Sequence, residues 1–191
     1  MESKITNYLQ IAVTGHRFIP KDTSSLSDAI RQVLQDILSQ HYETPIMLHS
    51  ALAEGSDQLV AKISNEFPEI SLCVPLPKAE GDYLEDFVSA AGRESFEKLL
   101  SKAAKIIYLS TSDEGQSDYE NLGNYLVNQS DVLIALWNGV YNQKKGGTGE
   151  VVKAALKARK PVYWIYCPNE KASANNQLEG CKQIGDLEIF Q

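Results

Sequence analysis

The sequence predicts an α/β fold: a mostly parallel sheet of about six strands with helices on both faces. Three observations lead there. Short, almost continuously apolar runs recur along the chain and alternate with segments of helical periodicity. Strands that are apolar on both faces need cover on both, and crossover helices supply it in parallel sheets. At 191 residues and 43% hydrophobic content, the chain suffices for one full core and is cramped for a second.

The first strand is read over 10–14, ending at Gly15. Thr23, Ser24 and Ser25 are candidate N-caps for a helix that carries Leu26, Ile30, Val33, Leu34 and Ile37 on one face. A second strand spans 45–50. The helix after it, 55–67, turns Leu59, Val60 and Ile63 inward and stops before Pro68. The third strand, 70–74, is closed by Pro75 and Pro77. One or two helices follow over 83–104, with Phe87, Phe96, Leu99 and Leu100 inward and Gly92 as a candidate break. A fourth strand occupies 105–109 and a polar loop 110–117. Residues 119–129 read as a helix with Leu122, Tyr125 and Leu126 inward. The fifth strand, 132–137, leads through a glycine-rich loop into another helix, and 161–166 is the sixth strand. Residues 1–168 are thus expected to form a single domain, with 169–191, polar and weakly periodic, as a loosely docked C-terminal tail.

Composition narrows the function. A net charge of −7 argues against broad nucleic-acid binding, which needs a clustered basic surface. Lys144-Lys145 and Lys157, Arg159 and Lys160 read as a solvated loop and a helix C-terminus, with room for a small anion beside them. No apolar run approaches the roughly 18 residues of a membrane span, and no secretion signal opens the chain, so a cytoplasmic protein without membrane contact is expected. Cys73, Cys167 and Cys181 lack paired metal spacing, and His16, His41 and His49 are scattered. No metal and no cofactor are expected.

The unusual residues lie in loops at the carboxyl ends of strands, where open α/β sheets bind their ligands. After the first strand comes Thr14-Gly15-His16-Arg17. Gly15 permits a sharp turn, and the Arg17 fork suits phosphate or carboxylate. His16 suits a ribose hydroxyl, a phosphate or acid–base work near neutral pH; an ordinary turn with an exposed arginine is the alternative. After the second strand, Glu54-Gly55-Ser56-Asp57 opens a helix. Ser56 is an N-cap candidate, Asp57 caps donors or holds a ribose hydroxyl, and Glu54 is placed for sugar or base contact. After the fifth strand come Asn138-Gly139 and then Gly146-Gly147-Thr148-Gly149-Glu150. Glycines let the main chain approach an anion, and the helix start supplies unpaired N–H groups. The loop lacks the Gly-Lys-Ser/Thr ending of a triphosphate-binding loop, and it does not follow the first strand as a dinucleotide fingerprint would. Thr148 suits a phosphate oxygen, and Glu150 complements the helix dipole.

Together these motifs, with Leu52 to Ala61 and Ser130 to Gly139, resemble the SLOG superfamily, named for the DNA-processing and Lonely Guy (cytokinin-activating phosphoribohydrolase) proteins. The resemblance covers residues 9–166. It implies a Rossmann-like fold with a nucleotide or nucleotide-derived ligand in the crevice. Several branches are regarded as sensors of nucleotide signals in bacterial conflict systems, while others cleave the base from a nucleoside 5′-monophosphate. The Lonely Guy enzymes carry Gly-Gly-x-Gly-Thr-x-x-Glu; aligning the glycines puts Glu150 at the threonine and Lys153 at the glutamate. Arg93 is the only nearby candidate for their mid-chain arginine. A sensor or ligand-binding module is therefore the first expectation, acting through a homodimer or a separate partner. The alternative is a phosphoribohydrolase with Glu150 and Arg17 as catalytic residues. Single-stranded DNA binding, as in the DNA-processing relatives, conflicts with the acidic charge.

Overall fold

Strands β1 (Leu9–Gly15), β2 (Ile46–His49), β3 (Ile70–Leu76), β4 (Lys105–Tyr108), β5 (Val132–Trp137), β6 (Val162–Tyr166) and β7 (Leu187–Phe190) form one sheet in the order β4-β3-β2-β1-β5-β6-β7. The computed structural model describes residues 7–109, 116–141, 145–171 and 182–190. The first six strands pair in parallel, and β7 joins β6 antiparallel. The helices are α1 (Ser24–Gln40), α2 (Ser56–Ser64), α3 (Glu80–Leu84), α4 (Ala90–Leu100), α5 (Asp118–Gln129) and α6 (Thr148–Lys157). The expected Rossmann-like α/β architecture is what the chain adopts.

Alternation along the central strands sorts side chains into two cores. Ile11 and Val13 of β1, with Ile134 and Leu136 of β5, face a core that includes Leu26, Ile30 and Leu34 of α1, Val60 of α2 and Phe96 of α4. Ala12, Leu133 and Ala135 face the opposite way, against Leu122 and Leu126 of α5 and Val151, Val152 and Ala155 of α6. Alanines on that second face let α5 and α6 lie close to the sheet. Burying a leucine or isoleucine is worth about 1.5–3 kcal/mol, so these two layers dominate the stability.

β1 lies between β2 and β5, with Leu9 opposite Ile46 and Gly15 opposite Leu136. Successive strands leave β1 in opposite directions, so the loops after β1 and β5 diverge and open a crevice.

Three details depart from the sequence reading. β3 runs through Pro75 to Leu76. Cys73 O accepts from Ser50 N on the β2 side, whereas Leu72 O and Leu76 O accept from 104 and 109 on the β4 side. Alternation therefore aims Pro75 at the β2 side, where β2 has already ended, and its missing N–H breaks no ladder bond. The break between α3 and α4 falls at 85–89 rather than at Gly92, which sits inside α4 and donates its N–H to Ser89 Oγ at 2.9 Å. A Cβ on Gly92 would lie 2.1 Å from Glu54 Oε1, so this glycine serves close packing. Within 169–191, read as a loosely docked tail, residues 172–181 and 191 lie outside the described residues, and Leu187–Phe190 forms β7, whose Phe190 ring stacks on Trp164 at 5.6 Å. Most of the loop at 110–117 lies outside the described residues, as do Lys144 and Cys181; Cys73 and Cys167 are buried free thiols.

Gly55 holds φ +85, and a Cβ there would meet Arg17 O at 2.3 Å. Gly55→Ala is predicted to cost about 2 kcal/mol or more, lowering Tm by roughly 5 °C or more. Gly81, with open space around its Cβ position inside α3, is the control. Gly81→Ala should leave Tm unchanged or raise it slightly, because glycine in a helix gives up about 0.5–1 kcal/mol relative to alanine. Thermal melts of both variants check the pair.

Candidate functional site

At the β1–β5 divergence a cavity of about 480 Å³ is lined by Thr14 to Phe18 of the β1 loop, Asp57 of α2, Tyr83 of α3, Ser117 and Tyr119 at the start of α5, and Gly146 to Gly149. The expected β1 and glycine loops therefore meet across one crevice.

His16 ties the crevice together. Its N–H donates to Leu136 O at 3.1 Å, and its carbonyl accepts from Ser56 N at 3.0 Å and Ser56 Oγ at 2.9 Å. Its ring Nε2 accepts from the Asn138 backbone N–H at 3.0 Å. An imidazole nitrogen that accepts carries no proton, and burial lowers the pKa, so His16 is neutral and has a positioning role. Gly15 makes this possible: a Cβ there would lie 2.3 Å from Ser56 Cβ. Asn138 is buried, its Oδ1 accepting from Val140 N at 3.2 Å, and Gly139 turns with φ +79.

Arg17 reaches the cavity through a polar network. Nη1 donates to Asp86 O at 3.2 Å and Nη2 to the Tyr119 hydroxyl at 3.3 Å. That hydroxyl donates to Asp86 Oδ2 at 2.5 Å, and Lys78 Nζ reaches the same oxygen at 2.7 Å. Burial opposes ionisation of Asp86, but Lys78, Tyr119 and Arg17 outweigh it and hold the carboxyl below its usual range. Two of five guanidinium donors make these bonds, and the Tyr83 hydroxyl is a further polar neighbour of the group.

The glycine loop forms the facing wall. Gly146, at φ +68, packs against the start of α5: a Cβ would lie 2.6 Å from Tyr119 C and 2.8 Å from Glu120 N. The starts of α5 and α6 are therefore neighbours on one wall. Ser117 and Glu120 cap α5 reciprocally, Ser117 Oγ accepting from Glu120 N at 3.3 Å and Glu120 Oε2 from Ser117 N at 3.0 Å. Gly147 precedes α6 and provides no side-chain cap; the Glu150 N–H donates to Gly147 O at 3.0 Å, and no side chain caps the helix's positive dipole end. Lys145, paired with Glu120 at 3.2 Å, adds positive charge beside it.

Two glutamates of the sequence reading sit elsewhere. Glu54 binds the α3–α4 turn, accepting from Val88 N at 2.6 Å, Ser89 N at 3.0 Å and Ser89 Oγ at 2.7 Å, and it lines a separate depression. Glu150 accepts from the Tyr141 hydroxyl, to which Lys153 Nζ also donates at 3.2 Å, and it lines a smaller groove between α5 and α6. Arg93 donates to Phe87 O at 2.9 Å and does not line the crevice. Asp57 is in the crevice, buried on its floor. Tyr83, Tyr119 and Ser117 were not singled out from sequence; only the Ser117-x-x-Glu120 capping box carried a local signal.

No family model and no curated protein matches the chain. Among solved structures, DNA processing protein A (DprA) from Streptococcus pneumoniae aligns with a TM-score of 0.55 at 12% identity, over 86% of this chain and 52% of that one. The chain thus spans about half the length of DprA. A structural-genomics target, TM1055, aligns with a TM-score of 0.49 at 15% identity, over 80% of this chain and 71% of that one. The DprA likeness shows the fold, a Rossmann-like α/β sheet. No helix among the described residues is long and apolar enough to cross a membrane.

Burial pushes the Asp57 carboxyl up to about 7 against the pull of the Ala53 amide and Arg17. The folded chain therefore keeps this proton at pH values where the unfolded chain has lost it. Stability falls as pH rises from near the ordinary carboxylate value through about 7, and the contribution is flat above. Asp57→Asn is predicted to be more stable than the parent at pH 8 by up to a few kcal/mol, at about 1.4 kcal/mol per pKa unit, with the advantage shrinking towards pH 5. Urea melts across that range check it; an advantage independent of pH would refute it.

Proposed function

We propose that the chain is a binding module that holds a nucleotide or nucleotide-derived small molecule at the carboxyl ends of its strands, as a sensor. The phosphate lies on Gly146, Gly147, Thr148 and Gly149 at the uncapped start of α6, with Arg17 facing it. The sugar lies over Asp57 on the floor. The observation that carries this reading is the convergence of two anion-holding features on one crevice: a helix start without a side-chain cap and the half-buried Arg17 guanidinium. Their nearness in a partly enclosed space strengthens both, because fixed dipoles and charges act with less screening than in water.

Base cleavage is the weaker reading on geometric grounds. A general base must lie within hydrogen-bond reach of the water or leaving group. The Glu150 carboxylate is held by Tyr141 and lines the groove between α5 and α6, outside the crevice. The sensor reading implies a small phosphorylated ligand, with its binding transmitted by a homodimer or a separate protein.

Gly147 holds ordinary extended angles, φ −82 and ψ 163, so a larger residue there is tolerated by the backbone. Gly147→Val should keep the unliganded Tm within a few degrees and lose the thermal stabilisation given by nucleoside monophosphates. Undiminished stabilisation of the variant would put the phosphate elsewhere. Arg17→Ala should weaken binding by roughly ten- to a hundredfold, as expected for a charge-assisted contact, with Arg17→Lys recovering only part. Incubation with a panel of nucleoside monophosphates should release no free base on chromatography; release that stops in Glu150→Gln would replace the sensor with the enzyme.

A further inference from the structure

Tyr83 is fully buried, with the Arg17 guanidinium as a polar neighbour, but no hydrogen bond of normal geometry reaches its hydroxyl. Such groups are rare, because a buried donor without a partner is costly and selection removes it unless it serves a purpose. The ring has little freedom to turn away. Phe87 meets it edge-on with centroids 5.3 Å apart and Phe96 at 5.8 Å, and those two rings meet each other at 5.2 Å. This aromatic cluster clamps the phenol while its residue lines the crevice. Burial and the neighbouring Asp57 and Tyr119 raise its pKa, so the hydroxyl is a donor at every physiological pH.

Beside it on the same floor is Asp57, also buried. Its carboxylate meets the Ala53 amide and keeps lone pairs for other donors. An acceptor and a donor thus stand next to each other opposite the glycine loop. A second phosphate does not suit this place, because the buried Asp57 carboxyl offers it no counter-charge. A nucleobase is better served by the flat surfaces of Phe18 and Trp137 in the same cavity. A vicinal diol suits it: one hydroxyl donates to the carboxylate, and its neighbour accepts from the phenol.

We propose that Tyr83 and Asp57 form a diol-reading subsite that makes the crevice selective for ribose over 2′-deoxyribose. The inference rests on the reading that a nucleotide phosphate occupies the glycine loop. It adds the sugar class of the ligand and names Tyr83 as the residue that discriminates.

The test uses the full chain, the four common ribonucleoside 5′-monophosphates and their 2′-deoxy counterparts, with affinities from calorimetry. For the best-bound base, the parent should prefer the ribonucleotide by about tenfold, the order of one well-made hydrogen bond. Tyr83→Phe keeps the ring and its packing, so that preference should fall to within about threefold. The unliganded Tm of Tyr83→Phe should equal or exceed the parent's, since the variant removes a buried hydroxyl that makes no hydrogen bond of normal geometry within the protein. Equal binding of both sugars by the parent, or a preference that survives in Tyr83→Phe, overturns the subsite while leaving the phosphate reading intact. A clear drop in unliganded Tm also overturns it, because the hydroxyl would then have a structural partner. No binding of any of the eight nucleotides overturns the phosphate reading and the subsite with it.

Discussion

The crevice depends on how one residue is tied at the end of β1. His16 donates its N–H to β5 at Leu136, accepts the Asn138 N–H on its ring, and takes two donors from Ser56 on its carbonyl. Three chain segments far apart in sequence are thereby fixed relative to each other: the β1 loop, the start of α2 and the exit from β5. Protonation of Nε2 would remove the acceptor and set a charge in a buried place, so the neutral ring is part of the construction. Gly15 and Gly55 are the complement of this knot, since a side chain at either would collide with Ser56 or with the Arg17 carbonyl.

From that knot follows a division of labour between the walls. One wall gathers donors: the open start of α6, Lys145 and the Arg17 guanidinium. The floor carries the opposite character, a buried carboxyl at Asp57 and the Tyr83 phenol. A ligand with an anionic end and a hydroxyl-bearing body matches both at once. The Lys78–Asp86–Tyr119–Arg17 network keeps the guanidinium at the rim, and it neutralises charge that would otherwise be isolated in a half-buried site.

Much of this was legible from the chain because the central parallel strands are largely buried and read as nearly unbroken apolar runs. Strand order then places ligands after the first and fifth strands, which is why Thr14 to Arg17 and Gly146 to Gly149 were identifiable. β7 escaped notice because an edge strand has only one ladder to satisfy, and Leu187-Glu188-Ile189-Phe190 carries a mixed, half-exposed pattern. Side-chain direction was the other blind spot. Glu54 and Glu150 have the right chemistry beside the right loops, but Val88, Ser89 and Tyr141 claim them, and those partners are set by tertiary packing. Tyr119 joins Arg17 from 102 residues away, and Tyr83 arrives on a five-residue helix with no motif to announce it.

Amide chemical shifts provide the most direct measurement of the central claim, that a phosphate sits on the start of α6. In a titration with a nucleoside 5′-monophosphate, the backbone N–H signals of Gly147, Thr148 and Gly149 should move strongly downfield as they donate to the anion. The matching nucleoside, which lacks the phosphate, should leave them in place. Equal shifts with nucleoside and nucleotide, or shifts confined to the Glu54 depression or the Glu150 groove, would contradict the account.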